Sequence, residues 1–192
     1  MARRNLSIPY EVKNSIKSHL KERCEIALEG YESASEEEDT LTGDLGATLR
    51  IKNQKVEVKE ANLGNRGTWN WSMTYSKFRG RGPNATENVL GADGIFELTL
   101  NVGNIIEKKS IMFQSKKDWV FDPNILIQSI KLSNWREAAF VLNFTNSQFQ
   151  AFDLDTVIAA KGNKPAVENS NSLETFLGQD FLDCIVGDVN LS

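Results

Sequence analysis

Apolar residues recur every three to four positions over residues 9–30. Val12, Ile16 and Leu20 fall in register, and Ile26 and Ala27 extend the face. This pattern predicts an amphipathic helix. Pro9, after Ser7 and Ile8, suits its start and Gly30 its end. A second helix is predicted to open on the acidic run Glu36-Glu37-Glu38-Asp39, where negative charge meets the positive end of the helix dipole. Leu41, Leu45 and Leu49 mark its buried face. Gly43 and Gly46 each cost this helix about 1 kcal/mol relative to alanine, so close approach to another backbone is expected there. Beyond residue 53 the period drops to two. "KVEVKEA", "TWNWSMTYSKF", "GIFELTL" and "KSIMFQSKK" read as strands, the last two joined through "NVGN" as a hairpin over residues 94–117. "GRGPN" reads as a turn or loop. "DPNILIQSIKLSNW" reads as a helix, with Asp122 as N-cap and Pro123 in the first turn. "AAFVLNFT" is apolar enough for a strand buried on both faces. "FQAFDLDTVIAA" opens as a short strand or turn, and "KGNKPAVENSNS" reads as a linker. A terminal helix follows, with Leu173, Phe176, Leu177 and Phe181 on one side. The order predicts an α/β protein, with helices around a mixed sheet.

Composition narrows the function classes. A chain of 192 residues, 40% hydrophobic and 25% charged, suits a globular domain with a sizeable core. The net charge of −4 argues against a general polycation, while leaving room for a local basic groove. No apolar run approaches the roughly 20 residues of a membrane span. No apolar segment follows Arg3 and Arg4, so neither membrane nor secretory leader is expected. Two distant cysteines, Cys24 and Cys184, and a single histidine, His19, supply no zinc set. Serine and cysteine nucleophile schemes lack a histidine partner. A reduced, cytoplasmic setting is the simplest reading.

The hairpin carries the candidate chemistry. Residues two apart in a strand share a face, so Gln114 and Lys116 stand side by side at the end of an apolar strand. Asp93 stands at the start of the preceding strand, and in an antiparallel pair that start lies beside the end of the next strand. An acid, an amide and an ammonium therefore converge at one sheet edge. Hard divalent cations take oxygen ligands and need only one or two carboxylates beside substrate phosphate. Asp93 and Gln114 are the expected Mg²⁺ or Mn²⁺ ligands, with Lys116 placed to orient water or stabilise phosphate charge. Glu38 is the expected helix acid, because it shares a face with Thr42, Leu45 and Leu49; Asp39 is the alternative. Lys77, Arg79, Arg81 and Lys117 are candidate nucleic-acid contacts. Bland explanations exist beside these: a turn aspartate between glycines, a solvated strand end, an ordinary basic loop. Trp69 and Trp71 share a strand face and are assigned to packing, as are Trp119 and Trp135.

The glycine-flanked aspartate of "GADG", followed twenty residues after Asp93 by "FQSKK", resembles the PD-(D/E)XK nuclease superfamily. It is similar to the variant in Mrr-type restriction endonucleases, where glutamine replaces the usual acid of the third motif. The resemblance covers about residues 36–145. It implies a restriction-endonuclease-like α-β-β-β-α-β core, with a mixed central sheet flanked by helices and an acid supplied by the preceding helix. It further implies metal-dependent hydrolysis of DNA phosphodiesters in restriction or anti-phage defence, with no membrane partner. A homodimer or a larger defence-complex partner is implied as well. The expected organisation is a helical segment at 1–35, a nuclease-like core at 36–160, and a linker with a C-terminal helix at 161–192. Two features depart from the family pattern. Gln114 leaves the site one negative charge short, and Gln128 has no tyrosine four residues later. The alternatives are an inactive nuclease fold that binds nucleic acid and a protein-interaction subunit docking through Leu173–Phe181.

Overall fold

The computed structural model describes residues 8–31, 37–59, 67–78, 85–189 and 191. Seven strands form one mixed sheet whose spatial order follows the chain. They are β1 (Ile51–Val58), β2 (Gly67–Lys77), β3 (Gly94–Val102), β4 (Ile105–Lys117), β5 (Ala139–Phe144), β6 (Phe149–Asp153) and β7 (Asn171–Ser172). Neighbours pair antiparallel except β4 with β5, which run parallel. A parallel pair needs a crossover. Here it is the helix Pro123–Leu132 followed by a 3₁₀ turn over Ser133–Ala138.

Helices α1 (Tyr10–Glu29) and α2 (Glu38–Leu49) cover one face. A five-residue helix, α3 (Thr86–Leu90), precedes β3; α4 is the crossover helix Pro123–Leu132, and α5 is Leu154–Ala159. Strand β2 shows why the sheet lies as it does. Trp69, Trp71, Met73 and Tyr75 are buried while the residues between them are not. Their partners on β3, Leu100, Leu98 and Phe96 among them, are buried on the same face. The four tryptophans expected to pack do so unevenly: Trp69, Trp71 and Trp119 are buried, and Trp135 is partly exposed. Strands β4 and β5 lie deeper. Residues Ile111–Ser115 and all of β5 are buried, because α4 and α5 close the second face over them. Two cores result. One joins α1, α2 and the terminal segment to Phe96, Phe113 and Phe140; the other joins Met112, Val141 and Phe152 to α4 and α5.

An aromatic row crosses the first core. Tyr75 and Phe96 lie 5.7 Å apart, Phe96 and Phe113 4.8 Å, Phe113 and Phe140 5.8 Å, and Phe140 and Phe176 4.8 Å. Each such contact adds about 0.5–1.5 kcal/mol beyond the area it buries. The row fixes β3 against β4 one residue before Gln114.

Two expectations change. Gly46 does meet a close neighbour, but it is a side chain: a Cβ there would lie 2.1 Å from the Tyr75 ring. A Cβ at Gly43 would meet no described residue outside its own helical turn within 4 Å. The terminal segment is not one long helix. A turn at Leu173–Thr175 passes into a π-helical turn at Phe176–Phe181, and Asp188 then pairs with Ser110 of β4. Phe181 is already satisfied by core contacts, and its carbonyl accepts from the buried Lys109 ammonium. The chain therefore leaves the helical path at Cys184 (φ 60°) and Gly187 (φ 92°). The stretch read as a linker contributes β7. No described helix is long and apolar enough to cross a membrane.

Candidate active site

Strand β4 outruns its neighbour. Gly94, the first residue of β3, pairs with Phe113, yet β4 continues to Lys117. The amides of Ser115 and Lys117 on that edge have no β3 backbone to meet. Two carboxylates take their place. Ser115 N–H donates to Asp93 Oδ2 at 2.6 Å, and Lys117 N–H donates to Glu38 Oε2 at 3.1 Å. Asp93 holds position because its own N–H donates to the Phe113 carbonyl and its carbonyl accepts from Phe78 N–H, both at 2.8 Å. Side chains thus extend a ladder that the backbone of β3 has left.

The flanking glycines explain the local chain path. A Cβ on Gly91, which has φ 79°, would lie 2.5 Å from the Gln128 carbonyl of α4. One on Gly94 would lie 2.8 Å from the Tyr75 ring. Glycine at both points lets the segment carrying Asp93 sink between α4 and β2.

Asp93 Oδ2 also accepts from Gln114 Nε2 at 2.8 Å and from the Ser115 hydroxyl at 2.5 Å. This fixes the amide orientation, since a flipped Gln114 would set oxygen against oxygen. The Gln114 Oε1 is then buried with no hydrogen-bond partner among the described residues. Such an orphaned acceptor is costly. It is an oxygen of the kind a hard cation or a proton donor would satisfy.

Lys116 lies between two acids: Nζ is 3.2 Å from Asp122 Oδ2 and 3.6 Å from Glu38 Oε1. Asp122 also caps α4, its Oδ1 accepting from Asn124 N–H at 2.8 Å. Thr42 of α2 links the layers, donating to the Glu38 carbonyl at 2.8 Å and meeting the Ser115 hydroxyl at 2.9 Å. Tyr31, two residues beyond α1, donates to Asp118 Oδ2 at 2.8 Å and pins the chain beyond Lys117.

The two carboxyls are perturbed upward. Burial raises Glu38 to about 7; Lys116 opposes that shift and the Asp93 charge adds to it. Burial also raises Asp93, against the lowering hydrogen bonds of Ser115 and the Lys116 charge. Burial pushes the Cys24 thiol up to about 12, which keeps it an inert packing group.

The structure therefore brings together Asp93, Gln114, Lys116 and Glu38. Asp39 is turned elsewhere, with Oδ2 3.0 Å from Lys77 Nζ at the exposed end of β2. Lys77 pairs with Gly94 in the sheet and so borders the site. Lys117 enters through its backbone N–H. Arg79 and Arg81 lie outside the described residues. Sequence reasoning missed Ser115, Thr42 and the Asp122 pairing. Alternation assigned Ser115 to the opposite face, which is correct for its side chain within a ladder. The signal for its bond to Asp93 was the register itself, since β4 is longer than β3.

Among the described residues, no group of three histidine, cysteine or acidic side chains forms a cation cage. The donor set is two carboxylates and an amide oxygen. That set fits Mg²⁺ or Mn²⁺, which keep several waters and use few protein ligands. Comparison with known proteins finds no matching family model, no matching curated protein and no matching solved structure.

Proposed function

We propose that this protein is a metal-dependent DNA endonuclease with the PD-(D/E)XK arrangement, acting in the cytoplasm in restriction or anti-phage defence. The observation that carries the reading is the meeting of Asp93, Gln114 and Lys116 at the open end of β4, with Glu38 delivered from the preceding helix. The run α2, β2, β3, β4, α4, β5 supports the α-β-β-β-α-β reading, with β1, β6 and β7 as additions to the sheet. Unbridged Cys24 and Cys184 agree with a reducing compartment.

The reaction adds water across a phosphodiester P–O bond, leaving a phosphate monoester and a hydroxyl. Asp93, Gln114 Oε1 and Glu38 would hold the divalent cation. When bound, it supplies Lewis-acid neutralisation of phosphate charge and acidifies water. The chain's own groups do the rest. Ser115 and Gln114 fix the Asp93 carboxylate by donating to Oδ2, so its orientation is set before substrate arrives. Asp122 and Glu38 hold the Lys116 ammonium at the strand end, where it can orient water and offset charge on the phosphate. Lys77, at the site's rim, is placed for a backbone phosphate. One constellation per chain suits one strand, so cutting both strands calls for a second copy or a larger partner.

One observation favours a second reading. Asp93 Oδ2 is already met by three donors and Lys116 by two acids. A site so satisfied also suits a nuclease fold that binds nucleic acid without cutting. Incubating the protein with supercoiled and linear DNA in Mg²⁺, in Mn²⁺ and in chelator separates the two. The nuclease reading expects nicked or linear products with either cation and none in chelator. Intact DNA under all three conditions, with binding retained, would favour the second reading.

A further inference from the structure

We propose a second nucleic-acid contact beside the site, formed by the β4–α4 connection and the turn Lys161–Lys164. In it Phe121 stacks on an unpaired base while Lys161 and Lys164 meet the flanking phosphates. The inference rests on the DNA reading above and extends it to how the substrate strand is held.

Val120 and Phe121 are consecutive and apolar, yet 76% and 61% exposed. Their backbone is firmly held. Asp122 N–H donates to the Gly162 carbonyl and Lys164 N–H to the Val120 carbonyl, both at 2.8 Å. Phe121 and Asn163 form an antiparallel bridge. The Trp119 indole N–H donates to the Gly162 carbonyl at 3.0 Å from within the second core. An aromatic ring is thus presented to solvent on a rigid support, which keeps the ordering cost of stacking small.

The turn approaches that ring closely. Lys161 and Gly162 have φ of 51° and 93°. A Cβ at Gly162 would lie 3.0 Å from the Asp122 carbonyl and 3.2 Å from the Phe121 ring. Lys161 is exposed and Lys164 half-buried. The two acids of the connection are both partnered: Asp122 Oδ2 lies 3.2 Å from Lys116 Nζ, and the exposed Asp118 accepts from the Tyr31 hydroxyl at 2.8 Å. The charged side chains of the turn itself are both lysines, next to an exposed aromatic ring. Exposed aromatics interleaved with lysines form the usual surface for single strands: stacking is tolerant of sequence and lysines follow the backbone. Asp122 links Phe121 directly to Lys116, so a strand lying on the patch continues into the site.

Fluorescence anisotropy in chelator, with a labelled single-stranded oligonucleotide and its duplex, tests this. The intact protein is compared with Phe121→Ala, Phe121→Trp and the double variant Lys161→Ala/Lys164→Ala, each checked by thermal melting. Phe121→Ala is expected to weaken single-strand binding roughly ten-fold, with a smaller effect on duplex. Phe121→Trp, which keeps a stacking face, should retain affinity. The lysine variant should reduce the slope of log affinity against log salt by about 1.4. Equal affinities and slopes in all variants, with DNA bound by the intact protein, would overturn this contact and leave the nuclease reading standing. No binding of either DNA by the intact protein would overturn both.

Discussion

Glu38 gives the site its pH signature. Its carboxyl titrates near 7 in the folded chain against an ordinary 4.5, chiefly because it is buried. Below pH 4.5 it is neutral in both folded and unfolded chains, so its burial carries no charge penalty. As pH rises through about 7 the folded state must hold a poorly solvated charge, and the stability it contributed is lost. Glu38→Gln should therefore be more stable than the intact protein at pH 8.5, by about 1–2 kcal/mol, and no more stable at pH 4. That figure is discounted from the full shift because the side chain is 33% exposed. Urea melts at the two pH values measure it. Cation binding needs the ionised carboxylate, so cleavage should rise with pH through the same range while stability falls. Gln114 makes a second residue-scale case. Its amide donates to Asp93 Oδ2 at 2.8 Å. Gln114→Glu replaces that donor with a second carboxylate, and two such charges in contact require a proton or a cation. The variant should melt lower than the intact protein in chelator, by about 1–3 kcal/mol. It should recover more than the intact protein does on adding Mn²⁺. Equal Mn²⁺ responses would remove Gln114 from the cation site.

At the scale of elements, α2 is positioned by what it lacks. Gly46 leaves room for the Tyr75 ring, so α2 can press on β2 and deliver Glu38 to the end of β4. Gly46→Ala must displace that ring or the helix and should cost about 1–3 kcal/mol. Gly43→Ala meets open space and should gain about 0.5–1 kcal/mol from helix propensity. Opposite signs in denaturant melts would confirm that the two glycines, alike in sequence, serve different ends. The hairpin was legible because alternation from Gly94 to Val102 and the polar turn after it leave little choice of register. Legible too were the Asp122 cap of α4 and the doubly buried β5. The terminal segment was not. Leu173, Phe176, Leu177 and Phe181 have helical spacing and are buried as a set. Their spacing says nothing of the Lys109 and Ser110 contacts on β4 that draw the chain out of a helix after Phe181. A tertiary contact of that kind leaves no periodic trace.

At the scale of the whole molecule, the sheet is covered unequally. Among the described residues, the helices α1 and α2 shield one face, while α4 and α5 shield the other over its later strands. The site lies where these regimes meet, at the end of a strand buried on both sides. His19 ties the layers together, with Nε2 2.9 Å from the Leu49 carbonyl and its ring edge-on to Trp71. The lone histidine that sequence reasoning set aside from catalysis is a strut between α1 and the end of α2. The meeting of Asp93 and Gln114 could be reasoned from hairpin geometry. The clasp of Asp122 and Glu38 on Lys116 could not, because it depends on how α2 and α4 dock at opposite sides of one strand end. The central claim is that phosphodiester chemistry occurs at that strand end. The most direct measurement is plasmid cleavage in Mg²⁺ and Mn²⁺ by the intact protein, Asp93→Ala and Lys116→Ala, with Lys55→Ala on the distant strand β1 as control and each variant checked for folding. The account predicts cleavage by the intact protein and the control, and a loss of about 100-fold or more in both site variants. Equal cleavage by all four proteins would contradict it.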